Sequence, residues 1–112
     1  MQVIDNFLED NIFKDIQTKL LSNQITWNYN YQVNDDTDPK EWLWNTKFYH
    51  LAFENIQLTP VFEILMPFMS DPRLSAHGIK RLILNSYQYT SEIYKHTSHI
   101  DYPFSHHGAL LN

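Results

Sequence analysis

The stretch IKRLILNSYQY, residues 79–89, carries the strand pattern on which the predicted fold rests. Successive side chains of a β-strand point to opposite faces, so every second residue shares a face. The face that begins with Ile79 changes from apolar to hydrogen-bonding residues along its length, as a strand entering a pocket would. Its members are Ile79, Arg81, Ile83, Asn85, Tyr87 and Tyr89. We therefore expect a strand over residues 79–89, with a candidate site towards its C-terminal end.

A second predicted strand follows a turn at residues 90–92 and contains the main candidate residues. It runs from Ile93 to Asp101, and Pro103 ends it because proline cannot donate to a strand ladder. Within it, His99 and Asp101 stand two residues apart and project from one face, while the residue between them turns into packing. One imidazole and one carboxylate are two of the three ligands in the 2-His-1-carboxylate triad of non-haem Fe(II) oxygenases.

Histidine is concentrated around this pair. The candidate metal ligands are His96, His99, Asp101, His106 and His107. Such side chains suit Fe(II), Mn(II) and Zn(II). His96 has the opposite strand parity to His99, and the directions of His106 and His107 are open because both follow Pro103. A His-x-Asp pair alone is more often a structural hydrogen-bonded pair than a metal site, so spacing leaves both interpretations standing.

The chain before residue 79 is predicted to combine helices with strands. The expected elements are a short strand over 2–7, a helix that Asp10 or Asn11 can cap and that ends near Ser22-Asn23, a strand over 27–33 and a strand within 42–53. Thr59 and Pro60 are typical of the N-cap and first position of a second helix, which Pro67 should end or kink. These elements together predict an α+β fold.

Composition narrows the class of protein. A length of 112 residues predicts one domain, residues 1–112. The net charge of −5 and the lack of a Lys/Arg cluster argue against nucleic acid or an anionic membrane as the main partner. The absence of cysteine excludes disulfides and thiolate zinc sites. With neither a signal peptide nor a membrane-spanning run visible, we expect a soluble, cytoplasmic protein.

Most of the chain, and most specifically its C-terminal third, resembles a known enzyme family. The run from residue 79 through His99-Ile100-Asp101-Tyr102-Pro103-Phe104 to Gly108-Ala109-Leu110-Leu111-Asn112 is similar to the 2-oxoglutarate- and Fe(II)-dependent dioxygenases. The nearest likeness is to the prolyl-4-hydroxylase-like branch, particularly its small marine-phage versions. The resemblance covers most of the chain but is specific only from about Ile79. It implies a double-stranded β-helix, or jelly-roll, with helices supporting one sheet.

The resemblance also implies roles for individual residues. His99 and Asp101 would be the first two ligands of Fe(II), and Tyr87 would lie near the cosubstrate 2-oxoglutarate. Tyr87 has an open alternative as a packed strand aromatic, and Asn85 on the same face would at most orient another group. Tyr102-Pro103-Phe104 would shape the mouth of the site or simply turn the chain. The implied reaction consumes O₂ and 2-oxoglutarate and hydroxylates a C–H bond of a small molecule or peptide of unknown identity.

The family pattern is incomplete within these 112 residues. No residue fills the position of the distal histidine that is the third iron ligand, or of the basic residue that pairs with the far carboxylate of 2-oxoglutarate. We therefore expect the chain to be the N-terminal portion of a truncated jelly-roll, inactive alone. An unfinished sheet would also leave an open edge and an apolar face, which favour self-association.

Two other classes of function remain open. The first is a non-catalytic metal-binding module that uses His96, His99, Asp101 and either His106 or His107. The second is a structural or interaction domain with an aromatic-rich sheet and no metal. Removal of His106 and His107 would abolish tight metal binding only in the first, and His99→Ala would affect only stability in the second.

Overall fold

The computed structural model of the chain describes residues 2–30, 46–93 and 101–111. The helices are α1 (Asp10–Leu20), α2 (Val61–Ile64) and α3 (Met66–Met69), with a 3₁₀ turn at Pro72–Leu74. The strands are β1 (Asn28–Asn30), β2 (Lys47–Glu54), β3 (Ile56–Gln57) and β4 (Arg81–Tyr87). This mixture confirms the predicted α+β class. None of the helices in these ranges is long and apolar enough to cross a bilayer.

The four strands belong to one sheet in which β2 pairs with each of the others. β1 runs antiparallel to β2, with Tyr29 opposite Phe48. β3 folds back antiparallel onto the end of β2, with Glu54 opposite Ile56. Asn55 makes this tight reversal with a φ of 63°, the left-handed region that asparagine tolerates better than most residues.

The chain divides into two compact units. One consists of residues 1–27 and 50–84, and the other of residues 28–49 and 85–112. The hydrophobic core lies in the first unit and is centred on buried Ile16, Ala52, Val61 and Leu65. Apolar residues packed against this cluster are Leu8, Ile12, Leu20, Ile25, Ile64, Met69, Leu82 and Leu84.

Helix α1 presents the apolar face that its sequence predicts. Ile12, Ile16 and Leu20 recur every fourth residue and contact the core cluster. On the solvent side, Lys14 and Lys19 each pair with an aspartate four residues earlier, at 2.5 and 2.6 Å. These exposed pairs contribute little to stability, so packing of the apolar face holds the helix in place.

Some predicted elements differ from the structure. Residues 2–7 are not a strand, because β-branched residues favour a strand only where a partner strand is present. Leu21, placed on the apolar face of α1 by its sequence, is 75% exposed because the helix ends at Leu20. The helix that Pro67 was expected to end or kink is interrupted at Leu65, two residues before the proline. Pro67 occupies the first turn of α3, where its missing N–H costs nothing.

Arg73 attaches the segment before α1 to the 3₁₀ turn. Its guanidinium donates to both carboxylate oxygens of Asp71, at 2.8 and 2.7 Å, and to the carbonyl oxygen of Phe7. The guanidinium carbon also lies 4.0 Å from the centre of the Phe7 ring, which meets the Phe68 ring edge-on at 5.5 Å. The side-chain and backbone hydrogen bonds from Arg73 lower the pKa of Asp71 to about 2.

Candidate functional site

Tyr87 is the last residue of β4, and its side chain is 57% exposed. Leu82 and Leu84 of the same strand pack against the core. Because side chains alternate along a strand, odd-numbered residues of β4 project from the face that these leucines do not use. Tyr87 and the exposed Asn85 share that parity, as the sequence predicted. Its role near 2-oxoglutarate and its alternative as a packed strand aromatic both stay predictions.

Asp101 opens the described segment 101–111, where it lies in an exposed bend. The strand expected over residues 93–101 therefore has neither end in strand conformation, since Ile93 is also outside any strand. His99 and His96 lie outside the described residues. The relative direction of the His99 and Asp101 side chains stays a prediction from spacing.

Three aromatic rings that follow Asp101 pack together. Tyr102 and Phe104 stack with their ring centres 5.1 Å apart and their planes 23° apart. The His106 ring meets Tyr102 edge-on at 5.4 Å and Phe104 at 6.0 Å. The three residues are spaced by two, so this segment presents one aromatic cluster directly after the candidate ligand. Phe104 keeps 52% of its surface exposed.

The hydrogen bonding of His106 determines its tautomer. Its Nδ1 lies 2.9 Å from the carbonyl oxygen of Phe104. A carbonyl only accepts, so Nδ1 carries the proton and the neutral ring has its lone pair on Nε2. Among the residues that the structure describes, no hydrogen bond reaches this Nε2. His106 is exposed, as is the adjacent His107.

Whether a metal ion fits this region depends on the metal-ligating side chains that it offers. An imidazole and a carboxylate, as in His99 and Asp101, are ligands that Fe(II) accepts. Within the ranges 2–30, 46–93 and 101–111, no three histidine, aspartate or glutamate side chains are placed together to hold a metal. Of the predicted pair, Asp101 lies in those ranges and His99 lies outside them.

His50 is a buried polar residue that the sequence did not single out. It retains 7% exposure, and both ring nitrogens are used. Nδ1 donates to the Thr26 carbonyl oxygen at 2.7 Å, so Nε2 accepts from the Thr59 hydroxyl at 2.8 Å. His50 therefore joins the chain before β1 to the start of α2 and has no lone pair left for a metal. His50 lies on β2 and shares its strand face with buried Ala52, which is the only sequence signal that indicates its burial. Its hydrogen-bond partners are distant in sequence.

No family model, curated protein or solved structure matches this chain.

Proposed function

We propose that this chain is the N-terminal part of a non-haem Fe(II)- and 2-oxoglutarate-dependent dioxygenase, with His99 and Asp101 as two of the iron ligands. The observation that carries the proposal is the His99-Ile100-Asp101 motif placed after a long strand that ends in Tyr87. In this proposal the α+β fold is, more specifically, a jelly-roll. The distal histidine and the basic residue come from outside the 112 residues.

Features of the α+β fold support this proposal. The chain has a long helix, a second helical region and then strand β4, in the order that the family resemblance implies. Helices α1 and α2 contribute Ile16 and Val61 to the core, against which Leu82 and Leu84 of β4 pack. The expected N-terminal strand is missing from residues 2–7, so that part of the likeness receives no support.

Tyr87 and Asp101 suit the roles proposed for them. Both are exposed, and both belong to the unit made of residues 28–49 and 85–112. The Tyr87 hydroxyl is able to donate a hydrogen bond to a carboxylate of 2-oxoglutarate, and the Asp101 carboxylate is able to ligate iron. Tyr102, Pro103 and Phe104, which follow Asp101 directly, would shape the mouth of the site.

When bound, iron with 2-oxoglutarate and O₂ supplies oxidative hydroxylation of a C–H bond, with succinate and CO₂ as the other products. The residues of this chain hold and orient the reactants. His99 and Asp101 anchor the metal, and Tyr87 positions the cosubstrate. With only two protein ligands, we expect weak metal binding and little or no turnover by this chain.

The proposal is tested by metal binding under anaerobic conditions. Fe(II), or Co(II) as its spectroscopic substitute, is titrated into the chain and into His99→Ala, Asp101→Ala and His77→Ala variants. We expect both site variants to weaken binding several-fold and the His77→Ala control to bind as the unmodified chain does. Equal affinity in all four proteins would overturn the proposal.

A further inference from the structure

We propose that one face of the sheet, in the unit made of residues 28–49 and 85–112, binds a small organic carboxylate with Lys47 as its cationic partner. The residues of this polar face are Asn28, Asn30, Lys47, Tyr49, Asn85 and Tyr87. The inference goes beyond the proposed dioxygenase site, because it needs neither a metal nor the residues proposed to hold one.

The pairing of β1 with β2 brings four of these side chains together. Asn28 lies directly opposite Tyr49, and Asn30 lies directly opposite Lys47. Residues opposite each other in an antiparallel pair have Cβ atoms about 4.5–5.5 Å apart. The two pairs are separated by two residues along each strand, so all four side chains project from the same face.

Strand β4 adds Asn85 and Tyr87 to the polar face. Ala52 of β2 belongs to the core cluster, and Leu82 and Leu84 of β4 pack against it. Even-numbered residues of both strands therefore share the core side of the sheet, and odd-numbered residues project from the other side. Asn85 and Tyr87 are both exposed, so their polar groups are accessible to a ligand.

The side chains of the polar face are those that recognise an anion. The Lys47 ammonium, the three asparagine amides and the two tyrosine hydroxyls all donate hydrogen bonds. Among the described residues of this face, none carries a carboxylate. The chain has a net charge of −5, so a face with one cation and no acid reverses the overall balance.

The size of the charge selects the class of anion. One lysine balances one negative charge, which is the charge of a monocarboxylate. Hydrogen bonds from a charged donor to a carboxylate are stronger than neutral ones, and neutral amide and hydroxyl donors can satisfy its remaining lone pairs. We therefore take propionate as the probe and propionamide, which has nearly the same shape but no charge, as its matched control.

The test is a titration of the unmodified chain with propionate in the presence of EDTA, followed by NMR of the asparagine side-chain amides. We expect the Asn28 and Asn30 amide signals to shift and saturate. Propionamide should bind about tenfold more weakly, because it lacks the charge that pairs with Lys47. Equal binding of the two compounds, or stronger binding of inorganic phosphate than of propionate, would overturn the inference.

Variants assign the binding to the polar face. Lys47→Gln should weaken propionate binding about tenfold, and Lys47→Arg should retain most of it because the charge is kept. Lys14→Gln, which removes an exposed lysine from α1 in the other unit, should bind as the unmodified chain does. Equal affinity in Lys47→Gln and Lys14→Gln would overturn the inference.

Two further variants keep the test independent of folding defects and of the iron site. Tyr87→Phe removes one exposed hydroxyl from the polar face and should weaken propionate binding several-fold if Lys47→Gln does not fold. Unchanged affinity in Tyr87→Phe would then overturn the inference. His99→Ala should bind propionate as the unmodified chain does, so a failure of the proposed iron site would leave this result unaffected.

Discussion

At the scale of single residues, two histidines show opposite uses of one side chain. His50 is a structural residue, because both of its ring nitrogens are hydrogen-bonded, one to Thr26 and one to Thr59. His106 donates from Nδ1 to the Phe104 carbonyl oxygen, and its Nε2 makes no hydrogen bond among the described residues. Sequence alone does not separate these cases, because the partners of His50 lie 24 and 9 residues away and are brought to it only by the fold.

The His50–Thr59 hydrogen bond gives a stability prediction. Thr59→Val keeps the shape of the side chain but removes the hydroxyl, so Nε2 of a buried histidine loses its partner. We expect the free energy of unfolding to fall by about 1–3 kcal/mol, measured by urea denaturation. Thr59→Ser keeps the hydroxyl and should stay closer to the unmodified chain. A larger loss in the serine variant than in the valine variant would contradict this account.

The Asp71–Arg73 pair gives a pH prediction. The hydrogen bonds from Arg73 lower the pKa of Asp71 from its ordinary 3.8 to about 2 in the folded chain. A lowered folded pKa means that the ionised carboxylate stabilises the fold above 3.8, and that this contribution is lost as pH falls from 3.8 through about 2. Urea midpoints of the unmodified chain should therefore fall over this range more steeply than those of Asp71→Asn. Parallel curves for the two proteins would contradict this.

At the scale of elements, the local patterns were sufficient for α1 and β4. Four-residue spacing of apolar residues predicted the helix, and the run that begins at Ile79 predicted a strand observed at Arg81–Tyr87. The predictions failed for segments whose structure depends on contacts with other parts of the chain. Residues 2–7 have strand propensity without a paired strand, and Pro60 rather than Thr59 occupies the N-cap position of α2. For the candidate site, the sequence predicted only the types of residue. Projection of His99 and Asp101 from one face requires a regular strand up to Asp101.

The apolar face of α1 gives a prediction for this element. Ile16 is 3% exposed at the centre of the core, so Ile16→Ala leaves a cavity among Ala52, Val61 and Leu65. We expect a loss of about 2–5 kcal/mol in the free energy of unfolding, measured by denaturant titration. Leu21→Ala is the matched control, because Leu21 is 75% exposed beyond the end of the helix. Its effect should stay within about 0.5 kcal/mol, and equal losses in both variants would contradict the assigned core.

At the scale of the whole molecule, exposed apolar side chains are numerous in the unit made of residues 28–49 and 85–112. They are Tyr29, Phe48, Tyr87, Tyr89, Ile93, Phe104 and Leu110. Exposed apolar residues on this scale favour association when they form a continuous surface.

This exposure gives a prediction for the chain in solution. We expect its mass, measured by light scattering, to rise with concentration. Tyr89→Ser with Ile93→Ser should reduce that rise, because these side chains are 94% and 102% exposed. Val3→Ser, a substitution at an exposed apolar residue of the other unit, serves as the control and should have less effect. A constant monomer mass at all concentrations would contradict the prediction.

We propose that His99 and Asp101 are two ligands of an iron triad whose third ligand lies later in the same protein. The most direct measurement is the coding sequence that follows the Asn112 codon. The account predicts an open frame that encodes further short strands, a histidine for the third ligand position, and then an arginine or lysine for 2-oxoglutarate. A stop codon directly after Asn112 would contradict it, because no single chain would then hold the triad.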